Sequence, residues 1–223
     1  MVIPGHWNGP PGSANGGYTC GVVAGLLDAP SAEVSLRAPP PLDSELTVER
    51  DEESARLMDG PTVVAEGRAA PPPDAEPPRA VSLDEAATAS EAGLEHWSAN
   101  HPFPTCVVCG PEREDGFGVF PGVVEGSLYA ARWRGRAAAE QVWAALDCPS
   151  SAPIAHFGEG PPIVLARLHA AIDRLPHDGE ELAAVSWPIG IDGRKREAAS
   201  ALVTGDGVVI ARARALWIEL REV

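Results

Sequence analysis

The chain has one lysine, Lys195, only four cysteines, and no apolar run near the roughly 20 residues that a membrane-spanning helix requires. The missing run argues against a membrane protein. Four cysteines spread over 223 residues are too few for a disulfide scaffold. Met1-Val-Ile-Pro-Gly-His6 lacks the basic start and long apolar core of a secretory signal. The expectation is a cytoplasmic protein with reduced thiols. Basic residues are scarce too: 17 Lys and Arg stand against 32 Asp and Glu, a formal charge of −15. Residues 1–100 hold 5 of the basic and 16 of the acidic residues, so most of the imbalance lies there. Such a surface argues against nucleic acid as a partner. Also absent are the Gly-x-Ser-x-Gly elbow, the P-loop and the Gly-x-Gly-x-x-Gly fingerprint, which removes three common enzyme signatures.

What is present begins with Asn8-Gly-Pro-Pro-Gly-Ser-Ala-Asn-Gly-Gly-Tyr-Thr-Cys-Gly-Val-Val-Ala-Gly-Leu-Leu-Asp28. A Gly/Pro loop runs into a helix with Tyr18, Val22, Val23, Leu26 and Leu27 at helical spacing, Asn15 as N-cap and Asp28-Ala-Pro30 as stop. Gly17, Gly21 and Gly25 recur every fourth residue. Each interior glycine costs a helix about 0.5–1 kcal/mol relative to alanine, so the stripe predicts a close neighbour: a wrapping sheet, a thin acyl chain or a cofactor arm. Backbone N–H groups at the helix start, over Asn15, Gly16 and Gly17, also form a ready oxyanion or phosphate site.

Further along, residues 33–38 and 42–50 alternate as strands, and residues 55–69 form a hairpin turning at Asp59-Gly60. Met1-Val-Ile3 supplies a short first strand. Residues 70–79 are a Pro-rich, semi-rigid connection. A short acidic helix over 82–92 follows, with a Ser82–Glu85 capping box, on the surface as a linker. Then come a strand over 127–134 and a helix over 137–147 with Val142, Trp143 and Leu146 on one face, ended by Cys148-Pro149. Strands over 163–174, 181–187 and 198–204, and a last one over 207–220 after the Gly205-Asp206-Gly207 turn, complete the chain. Residues 117–220 thus repeat the element order of residues 1–70: strand, helix, long antiparallel strands.

Asn15-Gly-Gly-Tyr18 before a helix of small residues resembles the central helix of hot-dog-fold acyl-CoA thioesterases, and the two-unit order resembles their double-hot-dog, type II group. The resemblance covers most of the chain except about residues 71–105. It implies an α+β protein of two antiparallel sheets, each wrapping a central helix and joined into one continuous surface. The first unit would span 1–70, a Pro-rich linker with a short helix 71–105, and the second unit 106–223. A homodimer of such double units is the oligomer to expect, and acyl-CoA the small-molecule partner. No separate cofactor is expected, coenzyme A being part of the substrate.

The resemblance also suggests a site. The family carries a carboxylate in its second-unit helix, in a pattern that Ala145-Leu-Asp-Cys-Pro-Ser-Ser-Ala-Pro153 resembles, so Asp147 is the candidate that orients an attacking water. The family also pairs its aspartate with a glutamine in the last strand and a serine or threonine. Here Ala215 falls in the glutamine place, and Ser150 or Ser151 is the nearest hydroxyl. Arg194-Lys195-Arg196, after Asp192-Gly193, resembles a family turn and would meet the phosphates of coenzyme A. Arg132, Arg134 and Arg136, and Arg212 with Arg214, are further basic islands whose plainer role is a solvated strand face. Three functions are carried forward: thioester hydrolysis through Asp147; a hot-dog hydratase or dehydratase using Asp147 with His156; and non-catalytic acyl-CoA binding, favoured by Ala215.

Cys106-Val-Val-Cys-Gly110 has the spacing of a zinc knuckle, which is half a tetrahedral site. Cys20, His96, His101 and Cys148 could complete it, none at a diagnostic spacing. The expectation is a reduced structural turn without bound metal.

Overall fold

A computed structural model describes residues 1–155 and 160–221. Helix α1 spans Gly16–Ala24, α2 Leu83–Asn100 and α3 Ala139–Ser151. The strands are β1 Ser31–Leu36, β2 Thr47–Arg50, β3 Ser54–Asp59, β4 Thr62–Ala69, β5 Gly122–Glu125, β6 Leu128–Arg134, β7 Ile163–Ile172, β8 Glu181–Asp192, β9 Lys195–Thr204 and β10 Val209–Glu219. All ten form one antiparallel sheet in the order β2-β3-β4-β1-β7-β10-β9-β8-β6-β5. This is one continuous surface, as expected, with all ten strands in a single sheet. The seam is the pairing of β1 with β7, where Val34 lies opposite Leu168 and Ser31 opposite Ala171.

Local chemistry sets the helix starts. The Asn15 side chain accepts from the Tyr18 N–H, and the box of Ser82 and Glu85 closes reciprocally. Gly60, with φ at +53°, makes the β3–β4 turn. Met1–Ile3 does not form a strand: Val2 makes only an isolated bridge to Glu45, and the alternation over 42–46 stays outside the sheet.

Helices α1 and α3 lie side by side on one face. Small residues on α1 let them meet: a Cβ on Gly17 would sit 2.3 Å from Asp147 Cβ and 2.7 Å from the Trp143 carbonyl oxygen, and one on Gly21 2.5 Å from Glu140 Cα. The close neighbour announced by the glycine stripe is therefore helix α3. Gly25, at the C-cap, meets nothing beyond its own helix. Beneath lie Leu182, Ala184, Ala198, Leu202, Ala213 and Ala215, pointing alternately from β8, β9 and β10 into the same core.

The opposite faces of β6, β8 and β9 are covered as well. Leu128, Ala130, Ala183, Val185, Ala201 and Val203 pack with Val81 and Ala86. This explains why β8 and β9 carry small apolar residues in succession rather than in alternation. Helix α2 is correspondingly more than a surface linker. It is 18 residues long and buries Ala86, Ala89, Gly93 and Trp97. A Cβ on Gly93 would lie 2.3 Å from the Phe120 carbonyl oxygen, and one on Gly122 2.0 Å from that of Ala89, so helix and strand meet backbone to backbone. Among the described residues no helix is long and apolar enough to cross a membrane.

Eight arginines spend their charge on the sheet surface. Arg37 and Arg56 meet Glu66, Arg68 and Arg167 meet Glu33, Arg132 and Arg134 meet Glu181, Arg212 meets Glu76 and Asp173, and Arg214 meets Glu197. The islands at 132–134 and 212–214 are ion-paired strand faces.

Candidate active site between the two buried helices

Asp147 sits in the last turn of α3, only 2% exposed. Its Oδ2 accepts the Gly17 N–H at 2.8 Å, so the start of α1 holds the carboxylate of α3. Its Oδ1 is buried and has no hydrogen-bond partner among the described residues. Burial pushes the Asp147 carboxyl up to about 7; the Gly17 N–H pulls the other way, the nearby Cys106 sulfur adds to the rise, and the Asn15 carboxamide offsets a little of it. The two groups picked from the sequence, Asp147 and the Gly16-Gly17 helix start, are thus brought together, but Gly17 N–H is committed to the carboxylate. The Tyr18 N–H is taken by Asn15, while the Gly16 N–H finds no acceptor among the described residues.

The turn that carries Asp147 is held without the helix stop expected at Cys148-Pro149. Helix α3 continues through Pro149 to Ser151. Hydroxyl groups help satisfy the carbonyls around the proline: Ser150 Oγ donates to the Asp147 carbonyl at 2.6 Å, Ser151 Oγ to that of Cys148 at 2.8 Å, and Ser200 Oγ to that of Leu146 at 2.6 Å. Ser150 Oγ also accepts the Trp217 Nε1–H at 2.9 Å. The two serines weighed as catalytic hydroxyls therefore hold the helix end. Ala215 is buried on β10 between Ala213 and Trp217, with no polar side chain to offer. The carboxamide that does reach this region belongs to Asn15, which the sequence marked as a helix start rather than as an amide donor.

Segment 104–117 folds back on the chain start. Val107 N–H donates to the Asn8 carbonyl at 2.9 Å, and Arg113 ties Asn8, His6, Thr105 and Asp115 together. Trp7 stacks on Tyr18 at 4.2 Å between ring centroids and contacts Phe117, fixing the fold-back against α1. The Cys106–Gly110 turn is thereby set beside Asn15 and Cys148. Gly110 N–H donates to the Cys106 carbonyl at 2.8 Å, and a Cβ on Gly110 would fall 2.5 Å from Cys106 backbone atoms, so only glycine closes this turn. Cys106 Sγ lies 3.8 Å from Cys148 Sγ, and His101 Nε2 3.2 Å from Cys109 Sγ. The bonds from Cys109 and Cys148 hold the Cys106 thiol well below its ordinary value, helped by the Cys109 and Val108 N–H groups. Burial pushes Cys109 up, and the bond to Cys106 does so for Cys148. Burial also lowers His101 to about 4, so its ring is neutral. Cys20 and His96 do not join this cluster.

A cavity of about 550 Å³ opens beside these groups. Asn15, Gly16 and Asp147 lie on its polar wall, and Leu36, Phe103, Leu165 and Trp217 are among its apolar lining. Pro162 and Leu220 also line it, and the Leu220 N–H bonds to the Pro162 carbonyl. The basic turn between β8 and β9 bonds to Glu219, the neighbour of Leu220. Arg194 and Lys195 are exposed, with Arg194 donating to the Glu219 carbonyl at 2.9 Å. Arg196 points inward instead, buried, paired with Glu219 and bonded to the Ile154 carbonyl at 3.3 Å. His156, weighed as an acid–base partner of Asp147, lies outside the described residues.

No family model and no curated protein matches the sequence. Solved structures do match. A candidate thioesterase II from Thermobifida fusca superposes with a TM-score of 0.60 at 16% identity, over 100% of this chain and 97% of its own. An acyl-CoA thioesterase II of Mycobacterium marinum gives 0.56 at 12%, over 95% and 92%. A hot-dog-fold protein of unknown function from Alicyclobacillus acidocaldarius gives 0.57 at 12%, over 100% and 92%.

Proposed function

On the α+β hot-dog fold that this chain shares with those structures, we propose that the protein hydrolyses acyl-CoA thioesters. The observation that carries the proposal is Asp147 itself: a buried carboxylate with one oxygen fixed by the Gly17 N–H and the other without a partner, on the wall of a largely apolar cavity. Buried polar atoms are almost always satisfied, so an oxygen without a hydrogen bond of ordinary geometry calls for a further donor. A water lying between Asp147 and a bound thioester carbonyl is such a donor. The carboxylate takes the proton of that water as its oxygen attacks the carbonyl carbon. The Gly16 N–H is the free donor at the helix start for the developing oxyanion. Collapse of the adduct expels the coenzyme A thiolate, which recovers a proton. The apolar lining suits an acyl chain, and exposed Arg194 and Lys195, on a turn bonded beside the cavity-lining Leu220, suit the phosphates; Arg196 serves the fold.

Release of free thiol from a panel of acyl-CoAs of increasing chain length tests this. Turnover above the buffer rate for at least one chain length is the expected result. Saturable binding without thiol release across the panel would instead favour the non-catalytic acyl-CoA-binding reading, which Ala215 supports by leaving the β10 position without a hydrogen-bonding side chain. Loss of enoyl absorbance without thiol release would point to a hydratase.

A further inference from the structure

We propose that Cys106, Cys109 and Cys148 hold a zinc ion, with the fourth coordination position facing the cavity. The Cys-x-x-Cys-Gly turn alone is half a site, and the fold completes it by bringing in Cys148 from α3. The three Sγ atoms lie within 4.8 Å of one another and all three residues are buried. At a Zn–S distance of about 2.3 Å, tetrahedral sulfurs stand about 3.8 Å apart. The Cys106–Cys148 pair is already at 3.8 Å, so the other pairs need to close by about 1 Å at most.

The second observation is what points at the sulfurs. Asn15 Nδ2 donates to Cys148 Sγ at 3.5 Å and to Cys106 Sγ at 3.8 Å. The Phe103 N–H donates to His101 Nδ1 at 2.8 Å, which places the imidazole proton on Nε2, directed at Cys109 Sγ 3.2 Å away. Every sulfur of the trio thus has an N–H donor from outside the trio. Such donors suit metal-bound sulfurs, which carry no proton of their own and keep lone pairs to accept with. Three buried sulfur ligands this close together select a soft, tetrahedral metal such as zinc. On this tautomer His101 is a positioning residue that donates to a ligand sulfur. The three cysteines all border the cavity, which leaves the fourth position to water or to a cavity ligand. Binding releases the thiol protons to solvent.

The test uses the full chain, produced without an affinity tag and kept reduced without chelator. Atomic emission should find about one zinc per chain in the wild type and in Cys20→Ser, and at least tenfold less in Cys148→Ser. Should Cys148→Ser fail to fold, the folded wild type answers: titration with an organomercurial should release zinc in step with three thiol equivalents, leaving Cys20 for last. Cobalt substitution should give the near-ultraviolet thiolate-to-metal band of a sulfur-rich site. His101→Ala should weaken zinc affinity by about 10–100-fold, the usual effect of removing a partner of a metal ligand. Reduced wild-type protein that neither contains zinc nor takes up an equimolar addition overturns the proposal. Stoichiometric zinc persisting in folded Cys148→Ser, or a Cys106–Cys148 disulfide in place of metal, overturns it equally. None of these readings involves acyl-CoA, so the metal proposal and the hydrolysis proposal stand or fall separately.

Discussion

The Gly17 N–H and the Asp147 carboxylate meet at 2.8 Å, joining residues 130 positions apart across the crossing of α1 and α3. The bond uses one carboxylate oxygen and leaves the other, buried, without a hydrogen bond among the described residues. In Asp147→Asn the size and the bond from Gly17 can persist while the base is lost. Turnover should fall by about 10²–10⁴. The melting temperature should hold or rise, because an amide is cheaper to bury than a carboxylate. Parallel measurement of thiol release and thermal unfolding decides: full turnover in the folded variant removes Asp147 from the chemistry.

Gly16 offers a cleaner test of the oxyanion donor. It is the first residue of α1, where proline is well tolerated, and Asn15 before it is extended at φ −59° and ψ 132°, as a pre-proline residue prefers. Gly16→Pro removes the N–H, and Gly16→Ala keeps it. Both add a Cβ that must push on Leu165 and Leu36 side chains at 3.0–3.1 Å, so that cost is common to the pair. Thiol release by the proline variant should be about 10²–10³ slower than by the alanine variant. Equal rates would show that the developing charge is stabilised elsewhere.

The glycine stripe of α1 should split by position. Gly17→Ala and Gly21→Ala drive a Cβ into α3 backbone and Cβ atoms at 2.3–2.9 Å, and each should destabilise by about 1–3 kcal/mol net. Gly25→Ala has no such neighbour and a right-handed φ of −62°, so it should be neutral or stabilising by up to about 1 kcal/mol. Chemical denaturation of the three variants checks the change of sign.

Acid should loosen the start of α2. Glu85 is held down to about 2, first by the Ser82 N–H and then by Arg79 and the Ser82 hydroxyl. A carboxylate whose folded value is depressed adds stability above its unfolded value, about 4.3, and loses it as pH falls through the folded one. The stability of wild type relative to Glu85→Gln, which keeps a capping-box side chain without the charge, should be constant above about pH 5 and vanish towards pH 2. A gap independent of pH would mean that the charge plays no part.

What the sequence disclosed was local. Asn15 and the Ser82–Glu85 box act on backbone N–H groups three residues away, so their roles are written in a few consecutive residues. Gly17 and Gly21 announced a close neighbour, yet its identity depended on α3, more than 110 residues later. Cys148 had no diagnostic spacing to Cys106, because folding of segment 104–117 onto Asn8 creates their proximity. Pro149 suggested a helix end, since a proline lacks an N–H. The hydroxyls of Ser150, Ser151 and Ser200 serve neighbouring carbonyls, and Ser200 comes from another strand. Arg196 looked like its neighbours Arg194 and Lys195, but strand alternation turned it inward to Glu219.

The ends of the sheet set a limit on how the molecule can associate. At one end β2 is four residues long and shows Thr47, Glu49 and Arg50 to solvent. At the other, β5 is equally short and has α2 against it, with the Ala89 carbonyl above Gly122. Neither border offers a second molecule a long, bare row of amides to zip onto. Strand pairing between two copies at either border would span about four residues, and the ladder that crosses the β1–β7 seam ends within a single molecule.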